Sequence, residues 1–255
     1  MAVTLAGGCC VSEMREGEPA VYGPLRIWNR IGRATGAQAI SMRVMEFQHG
    51  NSPAIVKDDC DEILYVLNSG SAISIDGERF ELPTDTGVYI RPNQTWSIDN
   101  NSTEPVMVIS TQCPDPERAP HFMDSPAKES RSSNRCPIVR LADQRAQPTA
   151  DRWYRVLVDD KVGSEQVTQF VGSIPSGRAP DHFHEYEEVL FILKGEGRMW
   201  AGETNTPVGV GSCIYLPKGQ IHCVENTGSG ELRLLGVFYP AGSPSVRYDV
   251  SEARP

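Results

Sequence analysis

Apolar residues along this chain come in short β-branched and aromatic runs bounded by Gly, Pro and Asn, and amphipathic helical periodicity is hard to find. The runs AISMRVMEF (39–47), EILYVL (62–67), SAISI (71–75), VYI (88–90) and VMVIST (106–111) read as strands. So do RWYRVLV (152–158), QVTQFVGSI (166–174), EVLFIL (188–193), SCIYL (212–216) and LRLLGVFY (232–239). Many short strands with regular turn signals predict an all-β chain built as sandwiches or barrels. Residues 113–150 differ: they are rich in Pro, Ser, Arg and Asp and carry no period. That suits a surface connection, with room for a short strand at PIVRL.

The two groups of strands repeat. EILYVLNSG (62–70) aligns with EVLFILKGEG (188–197) at an offset of 126, and GVYIRPNQTWSIDN (87–100) aligns with GSCIYLPKGQIHCVEN (211–226) in the same order. A duplication at that spacing divides the chain into an N-terminal segment (1–19), a first β domain (20–112), a linker (113–150) and a second β domain (151–255).

Composition narrows the setting. The 23 Gly and 19 Pro residues fit short-stranded domains that need many tight turns. With 39% hydrophobic residues the chain can bury a core, which excludes wholesale disorder. No apolar run is long enough for a membrane-spanning helix. A net charge of −9 argues against nucleic acid as the partner, because binding phosphate backbones needs a basic face. Seven cysteines without CxxC spacing suit a reducing compartment with free, mostly buried thiols. The opening MAVTLAGGCC has neither a basic region nor an apolar stretch of signal length, so a cytoplasmic start is expected.

Candidate chemistry is concentrated in the second half. GRAPDHFHEYEEVLFILKG supplies His182-x-His184 and then Glu188, while GSCIYLPKGQIHCVEN supplies His222. Residues i and i+2 of an extended strand share a face, so both imidazoles of the first motif can reach one interior point. Glu188 opens the next apolar run and can project inward, and His222 follows the Pro217-Lys218-Gly219 turn on a neighbouring strand. A lone HxH on a strand is ordinarily a surface pair. Here three of the five histidines fall inside two ordered motifs, and three imidazoles with one carboxylate suit one divalent transition metal ion with open positions. Fe, Mn, Ni, Co, Cu and Zn all remain candidates. His49 and His121 lack such company and read as surface residues.

These residues resemble the cupin superfamily in its two-domain, bicupin form. The family's first motif, G-x5-H-x-H-x3/4-E-x6-G, is met by His182, His184, Glu188 and Gly195, although Gly177 stands one residue closer to His182 than the motif asks. The second, G-x5-P-x-G-x2-H-x3-N, is met by Gly211, Pro217, Gly219, His222 and Asn226. The resemblance implies two tandem jelly-roll β-barrels, with His182, His184, Glu188 and His222 as metal ligands inside the second. It implies a small-molecule substrate and, from the family habit, a possible homodimer, although two barrels in one chain can satisfy the same pairing. In the first half Val56, Asp58 and Trp96 occupy the histidine positions and only Glu62 survives, so that barrel is expected to be metal-free, with Trp96 filling its mouth.

Strand position puts four further residues near the centre: Gln169, Trp200, Tyr215 and Arg233. Core packing competes with substrate lining for the aromatic ones. Arg233, within LRLLGVF, is either a carboxylate clamp or a strand-end residue in solvent. Glu188 is the expected catalytic group, ligand and proton acceptor by turns, with Glu185 and Glu187 facing solvent. The expected activity is that of an oxygenase on a small oxygen-rich acid or enol chelated to the metal. A non-oxidative isomerase, lyase or decarboxylase, and a binding protein without turnover, are the alternatives.

Overall fold

The computed structural model describes residues 1–57, 59–68, 70–115, 121–123, 136–149, 151–245 and the backbone of 248–249. Every run read as a strand forms one, and all the strand pairs are antiparallel. The runs EILYVL and EVLFIL show no polar alternation because both of their faces are buried. Leu64 and Val66 point into the first barrel, while Ile63 and Tyr65 point away from it. Leu190 and Ile192 point into the second, while Val189 and Phe191 point away.

That parity sets the architecture. Each barrel packs a large sheet on a smaller one, and the large sheets of the two barrels face each other across a shared apolar layer. Ile63, Tyr65 and Met42 meet Val189, Phe191 and Val237 there. The fit is close enough that a Cβ on Gly87 would lie 2.5 Å from Gln169 Oε1 and 3.0 Å from Leu157 Cβ. The sequence repeat survives as strand register: Trp96 pairs with Ile75 as His222 pairs with Ala201, and Glu62 pairs with Ile90 as Glu188 pairs with Leu216. The fold is all-β, two tandem jelly rolls.

The segments outside the repeat do more than connect. Cys10–Glu13, from the N-terminal segment, pairs with Ser212–Leu216 of the second barrel, and Leu5, Cys9 and Val11 enter that barrel's core. Ile138–Arg140, from the expected linker, pairs with Thr86–Ile90 of the first barrel. His121–Met123 and Gln147–Thr149 add further short strands to opposite barrels. Each barrel therefore receives an edge strand from the segment that precedes the other. Both recipient edges lose an exposed row of backbone donors and acceptors. All seven cysteines are free thiols and six are buried. No helix among the described residues is long and apolar enough to cross a membrane.

Candidate metal centre

His182 lies on the short strand His182–Phe183 and pairs across with His222, which begins the strand His222–Asn226. Phe183 faces the other way, so His184 returns to the side of His182. The turn at Pro217-Lys218-Gly219 is tied to this segment. The Gly219 amide donates to the His184 carbonyl at 2.7 Å, and Gly219 adopts φ +76°, which a Cβ would disfavour. The donor atoms of His182, His184 and His222 all lie within 4.8 Å of one another. Ring centroids are 4.8 Å apart for His182–His184, 4.6 Å for His182–His222 and 5.2 Å for His184–His222. Glu188 Oε2 stands 3.8 Å from His184 Nε2.

Hydrogen bonds aim these rings. His182 Nδ1–H donates to the Pro180 carbonyl at 3.0 Å, and His222 Nδ1–H donates to the Gln220 carbonyl at 2.7 Å. A carbonyl can only accept, so each neutral ring keeps its Nε2 lone pair for the interior. The His184 ring stacks on Tyr186 at 4.6 Å and 9°, and Tyr186 stacks in turn on Phe238 at 4.2 Å and 17°. His222 is buried, and burial first, then His182 beside it, depresses its pKa to about 3. Burial raises the Glu188 carboxyl to about 8. Neutral imidazoles and a carboxyl that cannot ionise cheaply without a counter-charge are the donor set that one divalent transition ion fits.

A stability profile follows from these two groups in the metal-free protein. Glu188 holds its proton more tightly folded than unfolded, so its contribution is present at low pH and lost as pH rises from 4.5 toward 8. His222 holds its proton more weakly when folded, so its cost appears as pH falls from 6.5 toward 3. Of the two, only Glu188 titrates above pH 6.5, and its contribution in chelator-treated protein is expected to fall by about 2 kcal/mol by pH 8. Denaturant titrations with and without Mn(II) check this. A flat metal-free profile would contradict the environment assigned to Glu188.

The three histidines and Glu188 line a cavity of about 130 Å³ that reaches the mouth of the second barrel. The four residues expected beside it lie elsewhere, and strand parity is the reason. Phe170 faces the cavity, so Gln169 faces the first barrel and donates from Nε2 to the Leu64 carbonyl at 3.3 Å. Met199 takes the core position, leaving Trp200 outside, with its Nε1 donating to Glu225 at 2.8 Å and its face under Arg178. Tyr215 joins the inter-barrel layer and donates to Glu187 at 2.6 Å. Leu234 faces the cavity while Arg233 pairs with Glu231 on the other side, 2.5 Å away.

Two corrections add to the site. Glu187 is buried rather than solvent-facing: its carboxylate accepts from the Gln38 and Ala39 amides of the first barrel at 3.0 and 2.7 Å. The strand bearing Glu188 is thereby fastened to the other domain. Arg152, Tyr154 and Tyr186 line the cavity and were not singled out from the sequence. For Arg152 and Tyr154 the signal was parity within RWYR, where residues 152 and 154 share a face; for Tyr186 it was the same two-residue spacing from His184.

The first barrel fills the equivalent place with an ion pair. Arg43, which pairs with Ser110 as Phe170 pairs with Gly236, forms a salt bridge to buried Glu62. Ser110 Oγ donates to Glu62 at 2.7 Å and Trp96 Nε1 donates to it at 3.2 Å. Trp96 sits inside the core, beneath the mouth it was expected to fill. Asp58 lies outside the described residues.

Residues 170–238 match the family model for the cupin domain. Auxin-binding protein 1 of Arabidopsis thaliana is 34% identical over 73 residues, covering 25% of this chain and 37% of that protein. The oxalate-binding protein of Thermotoga maritima is 37% identical over 58 residues, covering 22% of this chain and 48% of that protein. The chain thus spans less than half the length of either relative. Among solved structures, oxalate decarboxylase from Bacillus subtilis superposes with a TM-score of 0.74 at 13% identity, over 90% of this chain and 76% of that one. The agreement there is in the fold, through both barrels. Residues 170–238 thus carry a cupin domain, and the first barrel repeats its strand register within a two-barrel fold shared with oxalate decarboxylase.

Proposed function

We propose that this protein is a metal-dependent enzyme acting on a small oxygen-rich organic acid or enol held at His182, His184, Glu188 and His222. The observation that carries this reading is the convergence of three aimed imidazoles and a buried carboxyl on one side of a cavity. A divalent ion there would polarise a chelating oxygen as a Lewis acid and, if redox-active, support chemistry with O₂. The chain's own residues orient and shield. The carbonyls of Pro180 and Gln220 fix two ring tautomers, the Tyr186–Phe238 stack holds His184, and the barrel wall limits water. Glu188 is the group placed to accept or hold a proton at its carboxylate oxygen.

Two reaction classes share this geometry. An oxygenase consumes O₂ with its substrate. The non-oxidative alternative, above all a decarboxylase, is favoured by the fold shared with oxalate decarboxylase through both barrels. Oxygen-electrode traces of Fe(II)-loaded protein with a panel of keto acids and catechols separate them. Substrate-dependent O₂ uptake supports the oxygenase. Anaerobic turnover that survives exchange of Fe(II) for Mn(II) or Zn(II) supports the alternative, and no turnover under either regime leaves a binding protein.

A further inference from the structure

The cavity beside the histidines has two kinds of wall. One is apolar: Phe170, Ile174, Leu190, Val224 and Leu234 face it. The other is a single cation, because Arg152 is the only Lys or Arg lining it among the described residues. Arg152 belongs to Arg152–Val158, where Tyr154, two residues on, turns into the core and meets Phe170 edge-on at 6.4 Å. Alternation puts Arg152 on the same inner face, at the mouth. Its side chain is only 16% exposed. Nε donates to Asp151 Oδ1 at 3.3 Å, and Asp151 is itself 69% exposed. Neither terminal nitrogen of the guanidinium has a hydrogen-bond partner among the described residues.

A guanidinium largely withdrawn from water, with its planar fork open, is matched by a carboxylate. The apolar wall sets a second requirement. A bare dianion such as oxalate would lay charged oxygens against the side chains of Phe170 and Leu190, which offer no hydrogen bond, a costly arrangement. Size sets a third. A dry cavity of about 150 Å³ admits benzene, and this one measures about 130 Å³, so there is room for one ring or a compact branched body.

We infer that the ligand of the second barrel is a half-apolar acid: chelating oxygens toward the histidines, a ring or branched carbon body against the Phe170–Leu234 wall, and a carboxylate on Arg152. Arg152 is on this view a specificity-determining residue. The inference rests on the metal-centre reading above and goes beyond it by naming the substrate class.

The probe is 3,4-dihydroxybenzoate, whose catechol end can chelate while its carboxylate points away across the ring. Catechol lacks the carboxylate and oxalate lacks the ring. Metal content of the Mn(II)-loaded full chain is measured first, and then the three probes are titrated by calorimetry. Expected is binding of 3,4-dihydroxybenzoate at least about tenfold tighter than of either control, the order one charge-assisted contact supplies. Arg152→Met should bring it to the affinity of catechol, while Arg152→Lys keeps part of the gap. The comparison within the unaltered protein stands even if a variant fails to fold. Absence of stoichiometric metal overturns the metal-centre reading and this inference with it. Intact metal with equal affinity for catechol and 3,4-dihydroxybenzoate, or tighter oxalate binding, overturns this inference alone.

Discussion

Replacing His184 with alanine is expected to weaken divalent-metal binding by at least about 100-fold and to leave purified protein substantially metal-free. Losing an outer-shell partner alone typically costs 10- to 100-fold, and His184 is here one of three imidazoles in direct reach of the centre. Burial strengthens the expectation: His184 is 8% exposed, so water entering its place would find few routes. Its ring also rests on Tyr186, so a cavity opens beside that stack and some stability goes with the metal. Elemental analysis beside circular dichroism separates the two effects. His49→Ala is the control, because that exposed ring hydrogen-bonds the Ser102 carbonyl, in the other barrel. Full metal occupancy in folded His184→Ala would falsify the ligand assignment.

The second large effect is expected in the first barrel, from Arg43→Ala. Arg43 is 5% exposed and Glu62 1%, so removing the guanidinium strands a carboxylate inside a hydrocarbon core. Breaking a buried pair from one side costs about 3–5 kcal/mol. Ser110 and Trp96 still donate to Glu62, which sets the loss toward the lower end of that range. The double variant Arg43→Met/Glu62→Gln removes both charges while keeping an acceptor for the Trp96 N–H, and it should recover much of the loss. Urea titrations of the singles and the double close the cycle. Additive losses would mean that the pair is not coupled. Metal content should be unchanged throughout, since the centre lies in the other barrel.

Strands, repeat and the convergence of His182, His184 and His222 were legible in the sequence because each is a local or evenly spaced signal. HxH places two rings by strand geometry alone, and the PKG turn before His222 needs little context. Face assignment was not legible where it mattered most. In EVLFIL and LRLLGVF apolar residues occupy both faces, so nothing in the string tells barrel interior from inter-barrel layer. Gln169, Tyr215 and Arg233 fell on the wrong side for that reason, and Glu187 was read as solvated because its partners, the amides of Gln38 and Ala39, lie far off in the chain. Glu188 was the available anchor: counting in twos from it gives Leu190 and Ile192, the side chains that point inward. The short strand Cys10–Glu13 carried no signal that its partner was Ser212–Leu216.

That last pairing has a consequence in time. A ribosome adds about 5–20 residues each second. The first barrel receives its edge strand, Ile138–Arg140, within roughly 50 residues of Thr86–Ile90, so by that rate it can close in seconds while synthesis continues. Cys10–Glu13 must wait until Ser212–Leu216 emerges about 200 residues later, an interval on the order of 10–40 s. For that period the core that Leu5, Cys9 and Val11 enter is not yet complete. The barrel that carries the histidines is completed by a strand synthesised about 200 residues before its partner.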